Sequence, residues 1–310
     1  MKRYVIGRLL LMIPIMLGVA FIVFFIMSLL PGDPGRMILG MGAKVEDVAA
    51  YNHRLGIDRP FLERLASYIA ALARGDFGLS YRSLTPVADD LRVCFPFTIR
   101  LAVAGSLLAY LLGIPLGLLA AVRQNTAADF TTTVLSMLFA CIPEFWLGLM
   151  MILVFSLYLR LLPTGGIDSL KNYIMPVIVI ALPQSALTSR LTRASMLECL
   201  GQDYVRTARA KGLKRAAVIW KHALKNALVP IISTLITTFG VSLGGTVVVE
   251  NIFSIPGIGS LMVEAIKAKD VPVVMAITIL LSLIYCVFIL LADVVVASID
   301  PRVRQVFLRG

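Results

Sequence analysis

Val273-Val-Met-Ala-Ile-Thr-Ile-Leu-Leu-Ser-Leu-Ile-Tyr-Cys-Val-Phe-Ile-Leu-Leu-Ala-Asp293-Val-Val-Val-Ala297 is a run of 25 residues with one formal charge. About 20 such residues cross roughly 30 Å of hydrocarbon. In lipid the backbone must satisfy its own hydrogen bonds, so a run of this length reads as a transmembrane helix. Five more stretches qualify: Leu9–Leu30, Thr98–Val122, Thr131–Leu159, Tyr173–Leu191 and Leu228–Val249. The expected fold is all-α and integral to the membrane, with six transmembrane helices.

The whole composition agrees. Of 310 residues, 59% are apolar and 15% charged, and the mean hydropathy is +0.90. Soluble domains run at roughly 45–50% apolar and about 25% charged, so a soluble enzyme and a disordered chain are both excluded. The net charge of +11 would point to nucleic acid in a soluble protein; here it reads as a topology signal, and no nucleic-acid partner is expected. The four cysteines, Cys94, Cys141, Cys199 and Cys286, lack metal-ligand or redox spacing and are read as unpaired.

Lys2, Arg3 and Arg8 precede the first span in the manner of a signal-peptide n-region. That span's 22 residues exceed an h-region of about 7–15, so it is read as uncleaved. With the amino terminus inside, the segment Arg193–Ala227 is also inside and carries eight basic residues against Glu198 and Asp203. The tail adds Arg302, Arg304 and Arg309 against Asp300, while Pro31–Pro96, outside, balances eight bases with eight acids. This is the positive-inside pattern, with both termini cytoplasmic. Residues 1–96 are expected to form the first span plus an external cap, and 97–310 a five-span core with a cytoplasmic loop at 193–227. Within the cap, Pro60 is placed to open a helix that puts Leu62, Leu65, Ile69 and Leu72 on one face and ends at Gly75.

Catalytic signatures are missing from the chain. It has no Gly-x-x-x-x-Gly-Lys-Ser/Thr loop, no Gly-x-Ser-x-Gly elbow and no His-Glu-x-x-His, and its two histidines, His53 and His222, fall on opposite sides of the membrane. A six-span chain without these reads as a transporter, with no cofactor of its own and no metal site.

The segment Asp203-Tyr-Val-Arg-Thr-Ala-Arg-Ala-Lys-Gly212-Leu-Lys-Arg, running on to Pro230, has the pattern of a helix, a sharp turn at Gly212 and a second helix that enters a span. Gly212 is suited to a left-handed C-cap. Val205, Ala208 and Ala210 are small enough for a partner's groove to approach, and Arg206, Arg209 and Lys211 surround them with charge. On chemistry alone, an amphipathic helix lying on anionic headgroups fits equally well.

This stretch resembles the cytoplasmic loop of binding-protein-dependent ABC importer permeases, whose general pattern is Glu-Ala-Ala-x-x-x-Gly. Here Arg206 stands where that pattern has Glu, and Tyr-x-Arg-Thr-Ala-Arg-Ala-Lys-Gly is similar to the oligopeptide, dipeptide and nickel subfamily. Pro31-Gly32-Asp33-Pro34, Gly75-Asp76-Phe77-Gly78-Leu79-Ser80, Glu250-Asn251-Ile252-Phe253 with Pro256-Gly257-Ile258-Gly259, and Asp300-Pro301-Arg302-Val303-Arg304 follow the same resemblance in order along the chain. The resemblance implies a type I ABC importer-like permease. It implies that Arg206, Thr207, Ala208, Gly212 and Leu213 dock an ATP-binding subunit, and that Glu250, Phe253, Pro256 and Gly257 lie in an external loop near the cavity. It also implies a second homologous permease, two ATP-binding subunits that carry ATP and Mg, and an external solute-binding protein. The substrate is a short peptide or, alternatively, nickel or a metal chelate.

Acids at membrane depth are costly, and so are functional candidates. Glu144 follows Pro143 near the middle of the third span, where proline can kink the helix. A carboxylate there is placed to meet a cationic amino terminus in transit, or else to pair with a neighbouring helix. Asp293 lies near the end of the sixth span, within reach of water or a loop arginine. Gly240, Gly244 and Gly245 are read as close-packing positions. A proton-coupled secondary transporter relaying through Glu144 and Asp293 is the rival class; it leaves the basic loop unexplained. A purely structural scaffold gives no reason for Glu144.

Overall fold

The computed structural model describes residues 2–29, 34–40 and 42–299. Pro31, Gly32 and Asp33 of one motif, and Asp300 to Arg304 with the tail arginines, lie outside the described residues. Among those described, every regular element is helical, apart from one antiparallel bridge between Leu79 and Pro86. In chain order the helices are α1 (Lys2–Leu29), α2 (Pro34–Leu39), α3 (Val45–Leu55), α4 (Phe61–Leu72), α5 (Val87–Val122), α6 (Ala127–Cys141), α7 (Glu144–Met151), α8 (Lys171–Leu200), α9 (Asp203–Ala210), α10 (Arg215–Ala217), α11 (Leu224–Ile252), α12 (Ile258–Lys267) and α13 (Val271–Ile299). Wider π-helical turns extend α7 through Ile152–Tyr158 and join α10 to α11 through Val218–Ala223.

Five of these helices are long and apolar enough to cross a membrane, and a sixth crossing exists if α6 and α7 count as one. That pair corrects the expected continuous span Thr131–Leu159, because the two helices are bent by 96°. The cause is local. Pro143 cannot donate to the helix ladder and drives Ile142 out of the helical region, to φ −77 and ψ 121. Other boundaries shift outward: α5 begins at Val87, inside the expected cap; α8 carries Arg193 as helix; and α11 runs on through Glu250 to Ile252.

Contacts divide the chain into two units. The larger contains Ile99–Ile255, with the start of α1 up to Arg8 and the end of α13 from Tyr285. Within it α8 is central and packs on α6, α7 and α11. Its tightest seam is with α5, where a methyl added at Gly105 would lie 2.6 Å from Ile180 Cγ2 and one at Gly113 2.7 Å from the Ser185 carbonyl oxygen. Gly117 sits equally hard against the Ser189 carbonyl. Small residues permit such approach in lipid, where van der Waals contact drives helix association. The expected close-packing glycines are only partly the right ones: Gly240 faces Phe288, but Gly244 and Gly245 meet nothing within 4 Å.

The smaller unit, Leu9–Thr98 with Pro256–Ile284, has its own apolar core. Phe24, Leu65, Val87, Leu91, Ile258 and the run Val273–Ile277 form it. Pro60 is the N-cap of α4, and Gly75 accepts the left-handed φ of +78 just beyond its end. Leu65 is buried, and Phe61, Tyr68, Ile69 and Leu72 pack on the same core. Leu62 departs from the expected face, because it flanks this stripe and is 70% exposed.

Candidate docking helix and translocation residues

α9 is short, and its orientation is set by what it buries. Val205 and Ala208, three residues apart, are both buried, in a cluster with Ala121, Met196, Val218, Ala223, Ala227 and Ile231. Its end is a Schellman motif: the Gly212 N–H donates to the Arg209 carbonyl at 3.0 Å, and the Leu213 N–H donates to the Ala208 carbonyl at 3.4 Å. The motif needs a left-handed residue, and Gly212 supplies it with φ +77. The reading of Gly212 therefore agrees with its observed conformation. Ala208 differs from expectation, because it faces this chain's own core and anchors α9 from beneath.

The outward face consists of Arg206, Thr207, Arg209, Ala210, Lys211, Gly212, Leu213 and Lys214, all exposed. The Thr207 hydroxyl donates to the Asp203 carbonyl at 3.0 Å, and Arg206 lies 3.6 Å from Asp203 in a solvated pair that contributes little. The nearby Arg215 guanidinium donates to the Val122 carbonyl at the end of α5, at 3.0 Å, where a cation also favours the helix dipole. Two cavities flank α9. One, of about 590 Å³, is lined by Glu198, Tyr204, Lys225 and Pro230 among others. The second, of about 350 Å³, is lined by Val122, Arg209 and Arg215 among others.

One structural pair was not visible in the sequence. Arg193 on α8 makes a two-pronged contact with Asp129 at the start of α6, with Nε to Oδ1 at 2.6 Å and Nη2 to Oδ2 at 2.9 Å. Asp129 also accepts the Asn125 N–H at 3.0 Å. Sixty-four positions separate the partners, and the charge pattern alone places Arg193 in a loop. The 3.6-residue periodicity carried through Arg193 was the available signal.

The membrane acids part company. Asp293 accepts from the Tyr4 hydroxyl at 2.7 Å and pairs with Arg8 at 2.9 Å, so an arginine partner exists, on α1 and not in a loop. Glu144 opens α7 directly after the Pro143 break, is half-buried, and has no hydrogen bond or ion pair among the described residues. Glu250 departs from the expected external loop, and Phe253 is the residue that ends the helix before it. Glu250 lies inside α11, and both side chains are fully buried. The Phe253 carbonyl accepts the Gly166 N–H at 2.8 Å, and Gly165 presses on the same backbone, leaving no room for a side chain. The apolar Ile252, Phe253 and Ile255 pull this stretch inward. Pro256 is exposed and Gly257 is the N-cap of α12, so the second half of the motif starts a helix.

An all-helical chain with five continuous apolar helices, a broken sixth and a short basic helix held between two of them defines an integral membrane permease. Residues 113–305 match the family described as binding-protein-dependent transport system inner membrane component, and residues 1–102 match its N-terminal counterpart. The chain belongs to this family of ABC importer permease subunits, which are multi-pass proteins of the inner membrane. It is 39% identical over 304 residues to the glutathione transport system permease protein GsiC of Escherichia coli (strain K12), covering 98% of this chain and 99% of that protein. In fold it is similar to the MetNI methionine ABC transporter in inward-facing conformations, with a TM-score of 0.57 and 15% identity over 68% of this chain and 96% of that one. An amino acid ABC transporter crystallised with histidines matches with a TM-score of 0.52 and 14% identity, over 69% and 94% of the two chains.

Proposed function

We propose that this chain translocates short peptides inward as the permease subunit of an ATP-driven importer. The similarity to a glutathione permease along almost the whole chain carries the substrate class, since glutathione is itself a small peptide. In this reading α9 and both termini lie on the cytoplasmic side, in keeping with the charge distribution. Arg206, Thr207, Gly212 and Leu213 of the outward face seat in a cleft of an ATP-binding subunit, and Ala208 fixes the helix beneath them. Two such subunits, carrying ATP and Mg, close together and draw the docked helices with them. Because α9 is joined to α8 by the two-residue turn Gly201–Gln202 on one side and is tied through α10 to α11 on the other, the movement reaches the spans as a lever. ATP supplies the bias by binding the closed state better. A second, homologous permease covers the open face of α11 around Gly244 and Gly245. An external solute-binding protein delivers the peptide, and Glu144 with its Pro143 break receives the peptide's amino group along the path.

The test is reconstitution in proteoliposomes with the neighbouring ATPases and binding protein. Labelled tripeptide is expected to accumulate only with ATP. Nickel accumulation without peptide uptake moves the substrate to the metal-chelate class. Uptake driven by a proton gradient without any ATPase overturns the reading in favour of a secondary transporter.

A further inference from the structure

A cavity of about 250 Å³ in the smaller unit is lined by three arginines, Arg54, Arg59 and Arg64, together with Ser67, Tyr68 and Tyr81. Among the described residues none of the three guanidiniums makes an ion pair. Three cations around one cavity repel one another, Arg59 being offset in part by the neighbouring Asp58, and the repulsion is relieved when an anion stands between them. The Tyr68 hydroxyl is a second, independent sign: it is buried and has no hydrogen-bond partner. A buried polar group normally has one, so an orphaned donor on a cavity wall marks a place for an acceptor. Burial pushes both phenols, Tyr68 and Tyr81, above their ordinary range, so at neutral pH they are donors.

The position of the cavity narrows the ligand. Phe24, near the end of α1, and Val271 and Pro272, at the start of α13, complete its wall. Both helices are long and apolar enough to cross a membrane, and in the function proposed above their outer ends, with the arginines, meet water at headgroup depth. Arg64 is held over the Phe24 ring, 5.3 Å from its centroid, and its charge stays at that level. Arginine forks match phosphate oxygens in geometry as well as charge.

We propose that Arg54, Arg59, Arg64 and the Tyr68 hydroxyl form a binding site for a phosphate group, supplied by an anionic phospholipid headgroup reaching in from the bilayer edge or by free phosphate. The site ties the cap helices α3 and α4 to the membrane surface. It does not depend on the identity of the transported substrate.

The test uses the purified full-length permease in a neutral maltoside detergent, titrated separately with phosphatidylglycerol, phosphatidylcholine and inorganic phosphate. Retained lipid is counted by native mass spectrometry, and affinity by ligand-induced thermal shift. One phosphatidylglycerol is expected to be retained by the wild type, with affinity falling ~10-fold or more for each of Arg54→Gln, Arg59→Gln and Arg64→Gln, since a charge-assisted hydrogen bond is worth at least that factor. Tyr68→Phe removes one donor without disturbing packing and guards against misfolding of the arginine variants; a several-fold loss is expected. Saturable binding of inorganic phosphate that competes with phosphatidylglycerol assigns the site to free phosphate. Equal binding by wild type and variants, or no binding of either ligand, overturns the proposal.

Discussion

On α5, Gly105, Gly113 and Gly117 face α8 so closely that an added methyl at Gly113 would come to 2.7 Å from a backbone oxygen, whereas on α11 Gly244 and Gly245 have nothing within 4 Å. The residue type is the same and the surroundings are opposite. Where two backbones touch, glycine is a closed seam that forces neighbouring helices to move as one body. Where nothing touches, it leaves a smooth face for another chain. The contrast recurs elsewhere in the larger unit. Phe253, Asp129 and Arg193 are tied to other helices or loops by several contacts, while Glu144 has no hydrogen bond or ion pair among the described residues and the polar contacts of Arg206 and Thr207 on the outer face of α9 stay within that helix. In the function proposed above, the locked groups transmit movement and the free groups meet partners and cargo.

Substitutions across this divide break or sharpen it, and the largest effect belongs to the seam. Gly117→Val places two methyls against the Ser189 carbonyl, beyond the ~1–3 kcal/mol of ordinary overpacking, because backbone cannot yield as a side chain does. Monodisperse protein by fluorescence-detected size exclusion is expected to be nearly lost; a normal profile breaks the seam argument. Asp129→Asn comes next. It leaves Arg193 without its charge partner, at the low end of the ~3–5 kcal/mol of a buried pair, because Arg193 keeps partial contact with solvent. The thermal midpoint should fall, and the double variant Asp129→Arg with Arg193→Asp should recover part of the loss.

Gly212→Val is smaller in stability and larger in function. The left-handed conformation costs a branched residue about 1–2 kcal/mol, so insertion should survive while ATP-dependent uptake and retention of the ATPase on purification fall together. Retained ATPase with normal uptake sinks the docking assignment. Glu144→Gln should leave the thermal midpoint unchanged and slow uptake of a cationic peptide several-fold relative to an anionic one. Equal rates for the two remove Glu144 from the path. The smallest effect is that of Gly244→Ala, within ~0.5 kcal/mol in the isolated chain; a large loss of monomer stability there would erase the contrast with α5.

Much of this was readable in advance. Membrane residence, the five continuous crossings, the left-handed turn at Gly212 and a distortion at Pro143, though not its 96° extent, depend on neighbours a few positions apart, and local chemistry declares them. The helix Asp203–Ala210 and its turn at Gly212 are legible in the sequence, but its inward and outward faces are not. Val205 and Ala208 look like a groove-facing pair until the cluster of Met196, Val218 and Ile231 appears beneath them. Glu250 was misread for a related reason. A carboxylate beside turn-forming residues looks exposed, and only the packing of Phe253 against Gly165 and Gly148 shows that this stretch is drawn inward.

The amino-acid sequence by itself determined that the chain is a helical membrane protein with a basic, glycine-ended helix between two spans, because hydropathy, charge bias and turn preference act over a few residues. Only the tertiary structure decided which glycines form the seam, that Asp129 holds Arg193, that Asp293 holds Arg8, and that three arginines of the cap surround one cavity. Those relations join residues tens to hundreds of positions apart, and they exist only once the register between packed helices is set.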